Sequence, residues 1–165
     1  AILQNEVELG FIEGHSKNRE IAYHSFLKDE IVLVVSCRHK YFKTDSITLD
    51  ELKKLPLVLR EEGSGTLEII AEHLGKNNIA LNQLNIAMRL GSSESIKSYL
   101  QADNSAAFLS IKTIEKELKA GDLGIIDVEN LDLTRDFYYI FKQGHQSALS
   151  SIFLNFIIHQ YNVLL

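Results

Sequence analysis

The sequence predicts an α/β fold, and three observations carry the prediction. Strands and helices alternate through the middle of the chain, the pattern of parallel α/β architecture. Residues 30–36, EIVLVVS, are nearly all apolar and β-branched, as a strand covered on both faces would be. Two loops between a strand and a helix, EEGSGT after LVLR and GSSES after LNIAMRL, combine glycine with hydroxyl residues. In such sheets ligands collect where strand ends open into helices.

The elements follow in order. Ile2 and Leu3 read as the last turn of a helix, and residues 6–12, EVELGFI, as a strand. Residues 20–27 form a second extended stretch, separate from the strand at 30–36. Residues 48–55 read as a short helix whose Thr48 and Glu51 have capping-box spacing. Pro56, the only proline, ends it and starts the strand LVLR. A helix over 66–74 is expected to stop at Gly75. Then come a strand at 84–90, a helix ESIKSYLQA capped by Ser92 or Ser93, a strand at 105–110, a helix at 111–121, strands at 123–129 and 135–143, and a final helix from about 147. The apolar C-terminal stretch SIFLNFIIHQYNVLL reads as a heavily buried helix.

Composition excludes several classes. The chain has 165 residues, 45% of them hydrophobic, so it can bury a core. A net charge of −5 argues against a broad nucleic-acid surface. Cys37 is the single cysteine, so neither a disulfide framework nor a cysteine zinc site is expected, and a reducing, cytoplasmic setting fits. No signal peptide is visible, and no run reaches the roughly 18 apolar residues of a membrane span.

The loop at Gly63-Ser64-Gly65-Thr66 invites four chemistries. A dinucleotide fingerprint starting at Gly63 needs glycine where Glu68 stands, and Leu67 stands after Thr66 where a P-loop would follow differently. A nucleophile elbow on Ser64 needs glycines at Glu62 and Thr66. The six histidines, at 15, 24, 39, 73, 145 and 159, never occur as H-x-x-x-H, and His15 beside Glu13 is the nearest carboxylate pairing. Glu61 and Glu62 could suggest acid–base work, but acidic charge simply suits a helix start. Two readings stay open: capture of a small anion or polar ligand by the N–H groups of Gly65, Thr66 and Leu67 with the Ser64 and Thr66 hydroxyls, or plain helix capping. A second loop of the same kind shifts the balance toward a shared ligand site.

The same residues carry a family resemblance. LREEGSGTLEII (59–70) resembles the R-E-x-G-S-G-T segment of LysR-type transcriptional regulators. VELGFIEG (7–14) is similar to their D-L-G-hydrophobic-x-E-G strand, with Glu8 where Asp is usual. DEIVLVVSCRHKYF (29–42) resembles the first long strand of their second lobe. LGSSESIKSYLQADNSAAFLS (90–110) resembles G-S-x-E-x-I-K…G-x-x-x-A-F-L-S, with Asn104 in place of the glycine, and RDFYYIFKQGHQSALSSIFLNFI (135–157) resembles the returning strand and terminal helix. The likeness runs in order through nearly the whole chain.

The resemblance implies a type 2 periplasmic-binding-protein-like effector domain: two α/β lobes joined by a hinge, with the effector between them. It implies residues 17–134 as the second lobe with its connections, and 1–16 with 135–165 as an incomplete first lobe. The family's helix-turn-helix and the first strand–helix–strand of lobe one would be absent. Ligand-facing positions would be Glu13, Glu62, Gly63, Ser64, Gly65, Thr66, Ser92 and Ser93, with Phe108 as an apolar wall or a core residue. The implied function is sensing a small polar or anionic metabolite to control transcription, with no catalysis, no cofactor and no metal, as a homodimer or higher oligomer that reaches DNA through another domain. A transporter's solute-binding protein of the same fold is the alternative, and a fold-sharing enzyme a third class.

Overall fold

The computed structural model describes residues 1–14, 18–144 and 147–162; His15 and His145 lie outside them. The chain divides into two compact units, Ala1–Lys28 with Arg135–Leu165, and Asp29–Thr134. Residues 18–28, which the resemblance gives to the second lobe with its connections, group with the first unit.

The first unit opens with a turn. Asn5 adopts a left-handed φ of 57°. Its N–H donates to the Ile2 carbonyl at 3.1 Å, and Glu6 donates to Ala1 at 3.0 Å. This 5→2, 6→1 pattern is a helix C-terminal motif. Strand β1, Gly10–Glu13, pairs antiparallel with β8, Thr134–Lys142, with Phe11 opposite Tyr139. On its other edge β8 meets the first half of β2, Ile21–Ser36. Helix α5, Ala148–Asn162, starts at Ser147, whose hydroxyl accepts the Ser150 N–H at 3.1 Å and donates to Glu8.

The sequence splits residues 20–36 into two strands, whereas β2 is one strand that leaves the first unit at Lys28 and enters the second at Asp29. Lys28-Asp29-Glu30 reads as a break because three charges interrupt the apolar pattern. The backbone stays extended because Asp29, 5% exposed, accepts the Ser110 hydroxyl at 2.8 Å.

The second unit is a mixed sheet. Its order is β3 (Ser46–Ile47), β7 (Leu123–Val128), β2, β6 (Ala106–Ser110), β4 (Leu57–Arg60), β5 (Ile86–Leu90). β4 runs parallel to β5 and β6, while β2 is antiparallel to β6 and β7, so the parallel α/β pattern is set within a mixed sheet. The β2 alternation is complete. Leu33 and Val35 join Leu57, Leu59 and Phe108 under helix α2, Gly65–Lys76, which contributes Leu67, Ile70 and Leu74. Val32 and Val34 join Val58 and Leu109 on the opposite face, under Ile96 and Leu100 of helix α3, Ser93–Ala102. Each fully buried aliphatic side chain stabilises the fold by about 1.5–3 kcal/mol against exposure.

Local signals act as the sequence suggests at α1, Leu49–Leu52, where the Thr48 hydroxyl accepts the Glu51 N–H and Glu51 accepts the Thr48 N–H at 2.8 Å. They act differently at the end of α2. Gly75 lies inside the helix, and Asn78 takes the left-handed position at φ 59°. The Ile79 N–H donates back to Leu74 at 2.9 Å, and both side chains are buried in the same core, the apolar clasp of this motif. Helix α4, Glu115–Ala120, does end at a left-handed glycine, Gly121.

One expectation fails outright. α5 buries Leu154 and Ser150 but leaves Leu149, Ile152, Phe153 and Phe156 exposed. Apolar residues on every side of a helix demand cover, but they do not supply it.

Candidate functional site

The site is built on the second unit at the carboxyl ends of its parallel strands. Arg60, the last residue of β4, pairs in register with Leu90, the last residue of β5. The loops 61–64 and 91–92 therefore leave the same sheet edge side by side, each leading into a helix. The carboxyl end of β6, also parallel to β4, points the same way and ends at Ser110.

The first loop turns sharply. The Ser64 N–H donates to the Glu61 carbonyl at 3.3 Å, and Gly63 takes φ +82°. A Cβ at Gly63 would meet nothing within 4 Å, so glycine is required there by backbone conformation rather than by space. Ser64 is the N-cap of α2, yet its side chain makes no cap hydrogen bond, although the residue is only 7% exposed. Only from Glu68, whose N–H donates to the Ser64 carbonyl at 3.0 Å, does the helix ladder begin. The N–H groups of Gly65, Thr66 and Leu67 are the free donors of the helix start, with the positive end of the helix dipole behind them. Thr66 is half-buried and Glu62 is exposed.

Arg60 grips its neighbour. Its Nε and Nη2 donate to the two oxygens of Glu61 at 2.7 and 2.9 Å. That hydrogen-bonded fork pulls the Glu61 carboxyl down to about 2. The pair cancels its own charge beside the loop. Arg89 on β5 reaches across to the Arg60 carbonyl at 3.4 Å.

The second loop behaves differently. The Ser92 hydroxyl accepts the Ser95 N–H at 3.1 Å and lies 2.8 Å from the Ser95 hydroxyl, so it caps α3. Ser93 is the first helical residue, half-buried. The two loops are alike in composition, but only the first leaves its serine uncommitted.

The structure thus gathers Glu62, Gly63, Ser64, Gly65 and Thr66 with Ser92 and Ser93 on one sheet edge. Two expected residues are not part of that edge. Phe108 is 2% exposed and packs among Leu33, Leu57 and Leu59, so it is a core residue and not a ligand wall. Its place in the middle of β6 puts it one layer below the surface. Glu13 belongs to the first unit, at the end of β1, where its Oε2 lies 3.3 Å from Arg135. Two residues of the edge were not singled out in the sequence: Ser110 and Asp29, joined by a buried hydrogen bond. The antiparallel pairing of Ile31 with Ser110 brings them together across 81 residues of chain, and no local pattern encodes it.

Among the described residues, no group of three His, Cys, Asp or Glu side chains is placed to hold a metal ion. No described helix is long and apolar enough to cross a membrane.

Residues 1–162 match the family model described as the LysR substrate binding domain. The transcriptional activator CmpR of Synechocystis sp. is 29% identical over 157 residues, spanning 94% of this chain and 51% of that protein. The HTH-type regulator YeiE of Escherichia coli K12 is 35% identical over 157 residues, spanning 94% of this chain and 52% of the regulator. The chain therefore spans about half the length of these relatives. The regulatory domain of Synechocystis PCC6803 CcmR in complex with 2-PG superposes with a TM-score of 0.79 at 22% identity, covering 96% of this chain and 76% of the CcmR chain. That likeness gives the fold, periplasmic-binding-protein-like, and about a quarter of the CcmR domain has no counterpart here. The chain belongs to the LysR substrate-binding domain family.

Proposed function

We propose that this chain senses a small polar or anionic metabolite for a LysR-type transcriptional regulator. The ligand is held by the N–H groups of Gly65, Thr66 and Leu67 and the hydroxyls of Ser64 and Thr66, with Ser92 and Ser93 beside them. One observation carries this reading: Ser64 occupies an N-cap position without capping, next to a helix start whose donors are open. In this reading the chain binds its ligand and carries out no reaction on it. The 2-PG complex of the CcmR domain makes 2-PG the first ligand to try.

In the regulator, the effector favours one arrangement of the protein over another, which requires different affinity for the two. DNA would be reached through a separate DNA-binding region, in the cytoplasm and as an oligomer. Isothermal titration with 2-PG tests the site. Binding that disappears in a Ser64→Ala/Thr66→Ala chain is expected; binding unchanged by that double substitution contradicts the assignment.

A further inference from the structure

Two buried ionisable side chains take no part in the proposed ligand contacts: Lys97 on α3, and Asp29 where β2 enters the second unit. Burying a charge is costly unless its hydrogen bonds are satisfied. An ammonium has three donors, and Lys97 has an acceptor for each. They are the Thr113 carbonyl at 3.1 Å, Glu94 at 2.8 Å and Glu117 at 2.9 Å. Glu94 stands in the first turn of α3, Thr113 in the turn that follows β6, and Glu117 on α4.

The bonds continue beyond Thr113. Its hydroxyl donates to the Ser110 carbonyl at 2.8 Å, and the Ser110 hydroxyl donates to Asp29 at 2.8 Å. Two residues further along β2, the Ile31 N–H donates to the Leu133 carbonyl at 2.9 Å. The chain passes between its two units at Lys28–Asp29 and again at Thr134–Arg135. One connected path thus runs from the start of α3, where Ser92 and Ser93 stand, to both strand connections. Lys97, Ser110, Asp29, Ile31 and Leu133 are all buried, so water competes little for these bonds.

We propose that Lys97 is a positioning residue that fixes the start of α3, through Thr113 and Ser110, to the two strand connections at Asp29 and Leu133. This rests on the effector reading above: a ligand that shifts α3 at Ser92 and Ser93 is then felt where the chain leaves the second unit. Chains of hydrogen bonds and rigid elements carry such coupling, and a double-mutant cycle measures it.

Amide hydrogen exchange on the ligand-free chain reads the link. Thr113→Val removes the middle hydroxyl at an exposed residue, and Lys97→Met removes the anchor. Each should speed exchange at Ile31 at least about fivefold more than at Val34, deeper in the same strand, because the loss is local rather than global. The double variant should add less than about twofold, because both substitutions cut one path. Where Lys97→Met leaves Glu117 unpaired and does not fold, Ser110→Ala takes its place in the cycle. Added 2-PG should slow Ile31 in the parent and not in Thr113→Val. Equal speeding of Ile31 and Val34, full additivity in the double variant, or slowing of Ile31 by 2-PG to the same extent in both chains overturns the proposal. The cycle needs no ligand, so 2-PG that fails to bind counts against the effector site, and the cycle alone then decides the role of Lys97.

Discussion

Arg60 and Leu90 sit opposite each other in parallel register at the carboxyl ends of β4 and β5. That single pairing turns two loops 30 residues apart in sequence, beginning at Glu61 and Gly91, into neighbours on one edge. It also exposes their difference: the Ser92 hydroxyl holds an α3 N–H, and Ser64 holds none on α2.

The two serines should therefore separate stability from binding. Ser92→Ala removes an N-cap and should cost about 1 kcal/mol of unfolding free energy. Ser64→Ala removes no cap bond and should stay within about 0.5 kcal/mol of the parent. Urea unfolding of the two chains, followed by circular dichroism, checks the contrast.

Gly124 marks a tight approach in the second unit. It stands in β7 opposite Val35, and a Cβ there would lie 2.8 Å from the Phe42 ring. Gly124→Ala should lower stability by about 1–3 kcal/mol, the usual cost of overpacking. Adding Phe42→Leu should recover part of the loss, measured by the same unfolding curves.

His39 gives the second unit an acid-side weakness. It is 4% exposed; Nδ1 accepts the Tyr41 N–H at 3.1 Å, and Nε2 is enclosed without a hydrogen-bond partner. Burial pushes its pKa below the ordinary 6.5, and the charge of Lys40 pushes the same way. The unfolded chain takes up the proton first as pH falls. His39 therefore contributes fully above about 6.5, and its contribution declines as pH drops toward the depressed folded value. Unfolding free energies measured on either side of that value should show the decline, and His39→Asn should remove this part of it.

The Arg60–Glu61 fork should be visible to titration. Glu61 titrates near 2 rather than at the ordinary 4.5 because Arg60 donates two hydrogen bonds to it. With a depressed folded pKa, the pair's contribution is complete above about 4.5 and fades as pH falls through about 2. A carbon-detected NMR titration should place the Glu61 carboxyl near 2, and Arg60→Gln should return it toward 4.5.

Legibility in the sequence followed the range of the interaction. Thr48 with Glu51 and Pro56 act within one turn of chain, and each does what its spacing suggests. The turn at Gly63 and the start of α2 were legible for the same reason, since glycine at positive φ and a helix start are local chemistry. Strand direction was not: nothing near Val32–Val35 states that β6 runs antiparallel to them. Gly75 misled because Asn78 can take the same left-handed angle and lets the helix run one more residue beyond it. Lys28-Asp29-Glu30 looked like a turn because the partner that satisfies Asp29 is Ser110. α5 misled because residue type gives the wish for burial and only the fold says whether cover is present; for Phe108 the fold chose the core, one of the two readings the sequence left open.

The central claim is that the start of α2 is where the effector binds. The most direct measurement follows the backbone amides of Gly65, Thr66 and Leu67 by nitrogen–proton NMR while 2-PG, and separately inorganic phosphate, is added. Saturable shifts centred on those three amides, lost in Ser64→Ala/Thr66→Ala, are the predicted result. Saturable shifts that leave these amides unmoved and gather elsewhere in the chain would contradict it.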